Sequence, residues 1–135
     1  ASDVYKRQAL AAMWVGLLYD SGSLDNIFNL VKALDWQSVN ELNIDVCKYG
    51  MNATINDKTL WEFGEEVLNI AQSGLQNRGS AYGIKDETLF LMPLLERVSK
   101  KQSLSSQLVN KFDSKWKNNF STFYDDFNFY HGLRN

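Results

Sequence analysis

Carboxylates come first among the residues whose type and spacing could do chemistry. Glu62, Glu65 and Glu66 stand close together, and grouped carboxylates can hold a metal ion or move protons. No histidine or fourth ligand accompanies them, so the group reads as the solvated face of a helix. Asp125-Asp126 reads the same way. Cys47 is a candidate nucleophile, but its only possible imidazole partner is His131, far along the chain, so the thiol reads as a small buried or half-buried group. One cysteine and one distant histidine do not make a zinc site. Gly74-Leu75-Gln76-Asn77-Arg78-Gly79 has the look of a phosphate loop. It lacks the strand–loop–helix setting and the Lys-Ser/Thr pair, and it falls at a helix C-terminus, the wrong dipole end for an anion. Arg78 remains the one substrate-binding candidate, a guanidinium able to reach an anionic ligand or a carboxylate partner. The aromatic run from Phe120 to Tyr130 could stack bases, but without interleaved basic residues it reads as core. Spacing alone therefore assigns no catalytic residue and no metal ligand.

The elements that would position these residues are all helical. Leu10 to Asp20 carries no charge until its last position and predicts a central helix, buried all round. At this length it is too short to span a bilayer, which takes about 20 apolar residues. Ser21-Gly22-Ser23 predicts a turn with capping residues, after which Leu24, Ile27, Phe28, Val31 and Leu34 keep helical spacing. Asp35-Trp36-Gln37 breaks that pattern, and Ser38 with Glu41 predicts a capping box for a third helix ending before Gly50. Tyr49 to Asp57 reads as a loop. Thr59 to Arg78 predicts the longest helix, with Leu60, Phe63, Val67, Ile70 or Ala71, and Leu75 inward and Gly79 as C-cap. Gly64 and Gly74 inside it predict close approach of another backbone, the central helix. Asp86 caps a segment reaching about Lys100, in which Pro93 predicts a kink or a late start. Ser103 caps a helix through Phe112, Trp116 falls in a polar linker, and Phe120 to Phe127 is again helical, leading to Phe129-Tyr130. No stretch alternates with period two, so the fold class is all-α, an irregular bundle of about seven helices.

Composition narrows the function classes. A chain of 135 residues, 44% hydrophobic and 22% charged, fits one ordinary globular domain. Its net charge of −2, with both signs interspersed, argues against nucleic acid and against a membrane surface. The single cysteine fits a reducing compartment, taken as cytoplasmic. Back-translated, Asp3 to Gln8 resembles read-through of a sequencing adapter from a fragmentary metagenomic assembly. Residues 1–8 are accordingly set apart from residues 9–135, and the natural protein is expected to extend upstream of Ala9. Without Asp3, Lys6 and Arg7 the net charge becomes −3.

The stretch Leu10-Ala11-Ala12-Met13-Trp14-Val15-Gly16-Leu17-Leu18-Tyr19-Asp20 resembles a segment of the plant and proteobacterial type of glutamate–cysteine ligase. The register continues through Ser23-Leu24, Trp36, the Gly74–Arg78 helix end, Asp86-Glu87-Thr88-Leu89-Phe90-Leu91-Met92-Pro93-Leu94, and the aromatic Phe120 to Phe129 segment. It departs at Ala11 and near Cys47, where the family has proline. The resemblance implies an enzyme that joins the glutamate γ-carboxylate to the cysteine amine through a γ-glutamyl phosphate, with ATP and magnesium, in the first step of glutathione synthesis. It also implies that a glutamine-synthetase-like sheet holding the metal carboxylates lies upstream. Residues 9–135 would be the C-terminal helical region, inactive alone and packed on that missing N-terminal domain.

Two other readings stay open on the residues themselves. One is a related carboxylate–amine ligase with a different acceptor, the other a free-standing helical interaction module. The fragment reading predicts an exposed apolar patch near Trp14 and Tyr19.

Overall fold

Five short polar side chains divide the chain into helices. Asp20, Asp35, Thr59, Asp86 and Ser103 each accept a hydrogen bond from a backbone N–H two or three residues ahead, meeting one of the donors that a helix start leaves unpaired. In the computed structural model, which describes residues 2–127, the elements run α1 (Ser2–Leu18), α2 (Ser21–Val31), α3 (Trp36–Tyr49), β1 (Thr54–Ile55), β2 (Lys58–Thr59), α4 (Leu60–Tyr82), α5 (Met92–Ser99), α6 (Leu104–Ser114) and α7 (Phe120–Phe127). Two 3-10 turns, Gly50–Asn52 and Glu87–Leu91, complete the order. The expected all-α architecture is present. Phe129-Tyr130 and His131 lie outside the described residues.

Several local expectations shift. Asp20, not Ser21 or Ser23, caps α2, its carboxylate accepting from Ser23 N at 2.8 Å. Likewise Asp35 starts α3 earlier than the predicted capping box, accepting from Ser38 N at 2.7 Å. The capping box forms at α4 instead. There Thr59 Oγ1 accepts from Glu62 N, and Glu62 accepts from Thr59 N at 2.7 Å. The predicted loop contains a small antiparallel hairpin, pairing Thr54 with Thr59 and Ile55 with Lys58. Its turn residues Asn56 and Asp57 both have positive φ, 49° and 61°, the sign required in a two-residue turn that follows strand twist. The strands are two residues each, too short to show alternation in the sequence.

α4 continues past Gly79 to Tyr82 and ends at Gly83, whose φ of 63° suits glycine. Its fully buried positions are Trp61, Leu68, Ala71, Gly74 and Leu75, so the inward face is rotated from the predicted one at its first turns. Asp86 caps the second 3-10 turn, and α5 begins late. Pro93 sits in its first turn, where a missing N–H costs nothing.

Residues 1–101 form one compact unit, and a second begins at Gln102. In the first, α1 lies against α4 around Leu17, Ala71, Leu75 and Leu91, with Met13, Val67 and Leu95 packed beside them. The helices meet backbone to backbone. A Cβ on Gly16 would strike the Ala71 carbonyl, and one on Gly74 would strike the Gly16 carbonyl. Of the two glycines expected to permit close approach, only Gly74 does so; Gly64 would meet nothing nearer than Val98 Cγ2 at 3.8 Å. Ser23, itself buried, seals the crossing by donating from Oγ to the Ile70 carbonyl at 3.2 Å.

Central as it is, α1 is not buried all round. Ala9, Gly16 and Leu17 are covered, while Leu10, Trp14 and Leu18 stand about half exposed. An apolar helix becomes buried on every side only when neighbours surround it, and here the neighbours lie to one side. In the second unit, Ser103 caps α6 as predicted, and the Phe112 and Phe120 rings pack with centroids 4.8 Å apart. Trp116, expected in a polar linker, is buried.

Candidate functional site

A group of polar side chains from separate elements of the first unit gathers where α1 ends beside the last turns of α4. Asp20 leaves α1, caps α2, and also accepts from Asn77 Nδ2 of α4 at 3.3 Å. The Ser23 backbone N–H is the main cause holding the Asp20 carboxyl below the usual carboxylate range, with Asn77 adding to it. At the next residue, Arg78 Nε donates to Glu87 Oε2 at 3.1 Å, joining α4 to the second 3-10 turn. The Arg78 guanidinium carbon also lies 5.6 Å from the centre of the Tyr19 ring, within cation–π range. Three segments distant in sequence are thus tied through one arginine.

Beside this cluster a groove of about 220 Å³ runs between α1 and the 3-10 turn. Gln8, Ala11, Ala12 and Val15 form one wall, Leu75 lies beneath, and Phe90 and Glu87 stand opposite. The lining is apolar apart from Gln8 and Glu87, so the groove suits an apolar side chain better than a phosphate.

The other sequence candidates separate. Glu62 serves the capping box; the Thr59 N–H is the chief reason its carboxyl is held low. Glu66 pairs with Lys58 of the hairpin, and Glu65 lines a different groove. Asp125 and Asp126 lie on α7. Cys47 is exposed rather than buried, its Sγ donating to the Asn43 carbonyl at 3.3 Å along its own helix. Gly74 and Gly79 lie inside α4, with no loop between them. Among the described residues no group of three or more His, Cys, Asp or Glu is placed to hold a metal ion. Sequence reasoning did not single out Glu87 and Tyr19 as the partners of Arg78. The available signal was Asp86-Glu87-Thr88, a helix-start motif whose glutamate has no role in the cap.

No family profile matches the chain. Curated proteins do. Over 110 residues, 80% of this chain, it is 32% identical to the chloroplastic glutamate–cysteine ligase of Solanum lycopersicum. The corresponding protein of Arabidopsis thaliana is 33% identical over the same share of the chain, and glutamate–cysteine ligase A of Oryza sativa subsp. indica 31% over 81%. This chain is related to the glutamate–cysteine ligases. It spans about a fifth of their length, 20% of the tomato and Arabidopsis proteins and 21% of the rice protein. Among the described residues no helix is long and apolar enough to cross a membrane.

Proposed function

We propose that this chain is the C-terminal helical region of an ATP- and magnesium-dependent ligase that joins the glutamate γ-carboxylate to the cysteine amine. The observation that carries the reading is the relatedness to several glutamate–cysteine ligases over four-fifths of the chain. In this reading glutamate, cysteine and ATP are substrates of the whole protein, and the product feeds glutathione synthesis. Residues 1–8 are translated adapter, and the natural polypeptide continues upstream into a catalytic part on which these helices pack. The compartment is a reducing one, cytoplasmic in our reading, whereas the named plant relatives are chloroplastic.

The described residues do not fit a magnesium site, since their carboxylates serve caps and ion pairs at separate places. What these side chains do is brace. Arg78 holds the Glu87–Leu91 turn to α4 and presents the Tyr19 ring beside it. As the one candidate for an anionic contact, Arg78 is already engaged with a carboxylate.

The test is ATP turnover. Full-length protein, with its upstream reading frame restored, is expected to release ADP with glutamate plus cysteine, and much more slowly when other amines replace cysteine. The 135-residue chain alone is expected to release none. Turnover independent of cysteine would sink the assignment of the acceptor. With Arg78→Lys in the full-length enzyme, a bracing role leaves the KM for all three substrates unchanged, whereas a substrate contact raises one of them.

A further inference from the structure

The stretch Gly74 to Gly79, which has the look of a phosphate loop in the sequence, borders a groove of the opposite preference. The groove, about 360 Å³, lies between the last turns of α4 and the loop that follows, and is lined by Leu75, Gln76, Gly79, Ser80, Ile84 and Asp86. All six belong to the first unit. Its volume falls in the lower part of the range of small-molecule sites, about 300–1,000 Å³.

The charges around it favour a cation. A helix C-terminus carries partial negative charge on its unpaired carbonyls, and α4 has no basic residue in its last turn to offset it. The next two backbone donors, Gly83 N and Ile84 N, both return to the Gly79 carbonyl. The Ser80, Ala81 and Tyr82 carbonyls are therefore left without a backbone donor among the described residues. Asp86 adds a full charge. Its Oδ1 accepts from Thr88 Oγ1 and, at 2.9 Å, from Thr88 N, while Oδ2 has no partner among the described residues. The Thr88 hydroxyl is the main cause holding this carboxyl below the usual carboxylate range, so it is ionised at neutral pH. Of the basic residues close in sequence, Arg78 is paired with Glu87, and Lys85 does not line the groove. The Gln76 amide and the Ser80 hydroxyl also have no hydrogen-bond partner among the described residues.

We propose that this groove binds a primary ammonium group carried on a small apolar body. The ammonium has three N–H donors, and the groove offers three side-chain acceptors, on Asp86, Gln76 and Ser80. Leu75 and Ile84 supply apolar lining for the hydrocarbon. One carboxylate is too few for a divalent metal ion, which takes six or more oxygen ligands, so the cation is an organic one. The site uses only residues of the first unit and is independent of the ligase reading.

The test is a proton–nitrogen correlation NMR titration of the 135-residue chain with isobutylammonium chloride, the ionic strength held constant with sodium chloride. Saturable shifts are expected at the Gln76 side-chain amide and at the Gly79, Ser80 and Ile84 backbone amides. Isobutanol, nearly the same shape without the charge, is expected to bind several-fold more weakly, and isovalerate to shift none of these signals. Asp86→Asn keeps an oxygen to cap the turn and removes the charge, so isobutylammonium is expected to bind several-fold more weakly. Ser80→Ala leaves the Asp86 cap untouched and is expected to weaken binding in the same direction; it decides the matter if Asp86→Asn disturbs the fold. Shifts that never saturate, saturable shifts centred on other residues, or equal affinity for isobutanol overturn the proposal. So does unchanged affinity in both variants.

Discussion

Two glycines of α4 that look alike in the sequence have opposite surroundings. Gly74 touches the Gly16 backbone, so Gly74→Ala must separate two helices across the core. Overpacking of this kind costs about 1–3 kcal/mol. Gly64→Ala places its methyl against open space and Val98, so the better helix propensity of alanine is expected to stabilise by about 0.5–1 kcal/mol. Urea unfolding of the chain with each substitution checks both signs; equal effects would refute the close crossing. Asp20 makes a pH-dependent contribution. The Ser23 N–H holds its carboxyl below the usual carboxylate range in the folded chain, so its stabilisation is present above the unfolded value and is lost as pH falls through the folded one. Asp20→Ala should cost about 1 kcal/mol near neutral pH through loss of the cap. The gap to the parent protein should narrow on acidification below that value. Thermal midpoints measured across that range decide it, and a gap independent of pH would count against the charged cap.

At the scale of elements, α4 is the best specified piece of the chain. Its capping box, its run of helix-compatible residues and its left-handed glycine are all local, so its existence was legible in Thr59, Glu62 and the apolar spacing that follows. The hairpin before it was not. Nothing in two-residue strands distinguishes them from loop, and the burial of Ala53 and Ile55 that accompanies the hairpin is a tertiary outcome. Its turn holds Asp57 at a φ of 61°, a region that costs a non-glycine residue about 1 kcal/mol. Asp57→Gly relieves that cost and matches the Asn-Gly preference of such turns. The substitution is expected to raise the urea midpoint; a lowered midpoint would show that the Asp57 side chain contributes more than its backbone strain removes. α3 behaves differently from the core helices. None of its residues is buried, and the capping signal that predicted the helix did not say what would cover it.

For the whole molecule, the division at residues 101 and 102 has a direct consequence. Lys100 and Lys101 are exposed, and Lys101 has a φ of 48°, outside any helix. Limited trypsin digestion is expected to cut there first and leave a product ending near Lys101. First cleavage after Arg78, inside α4, would contradict the first unit as described. The chain length alone suggested one domain and carried no mark of this boundary.

The leading segment Leu10 to Asp20 shows what each level determined. By itself the sequence determined that this stretch is a helix, that Asp20 follows it, that a glycine inside α4 invites a close neighbour, and which family the whole resembles. These follow from hydrophobic run, capping chemistry and residue identity, all local properties. Only the tertiary structure decided that Gly16 is the neighbour, that Arg78 meets Glu87 and Tyr19, and that Trp14 faces outward. An apolar residue is drawn out of water whichever surface receives it, so composition predicts burial but not the partner. On α1 the partners within the first unit cover one side, and the other carries the exposed Leu10, Trp14 and Leu18.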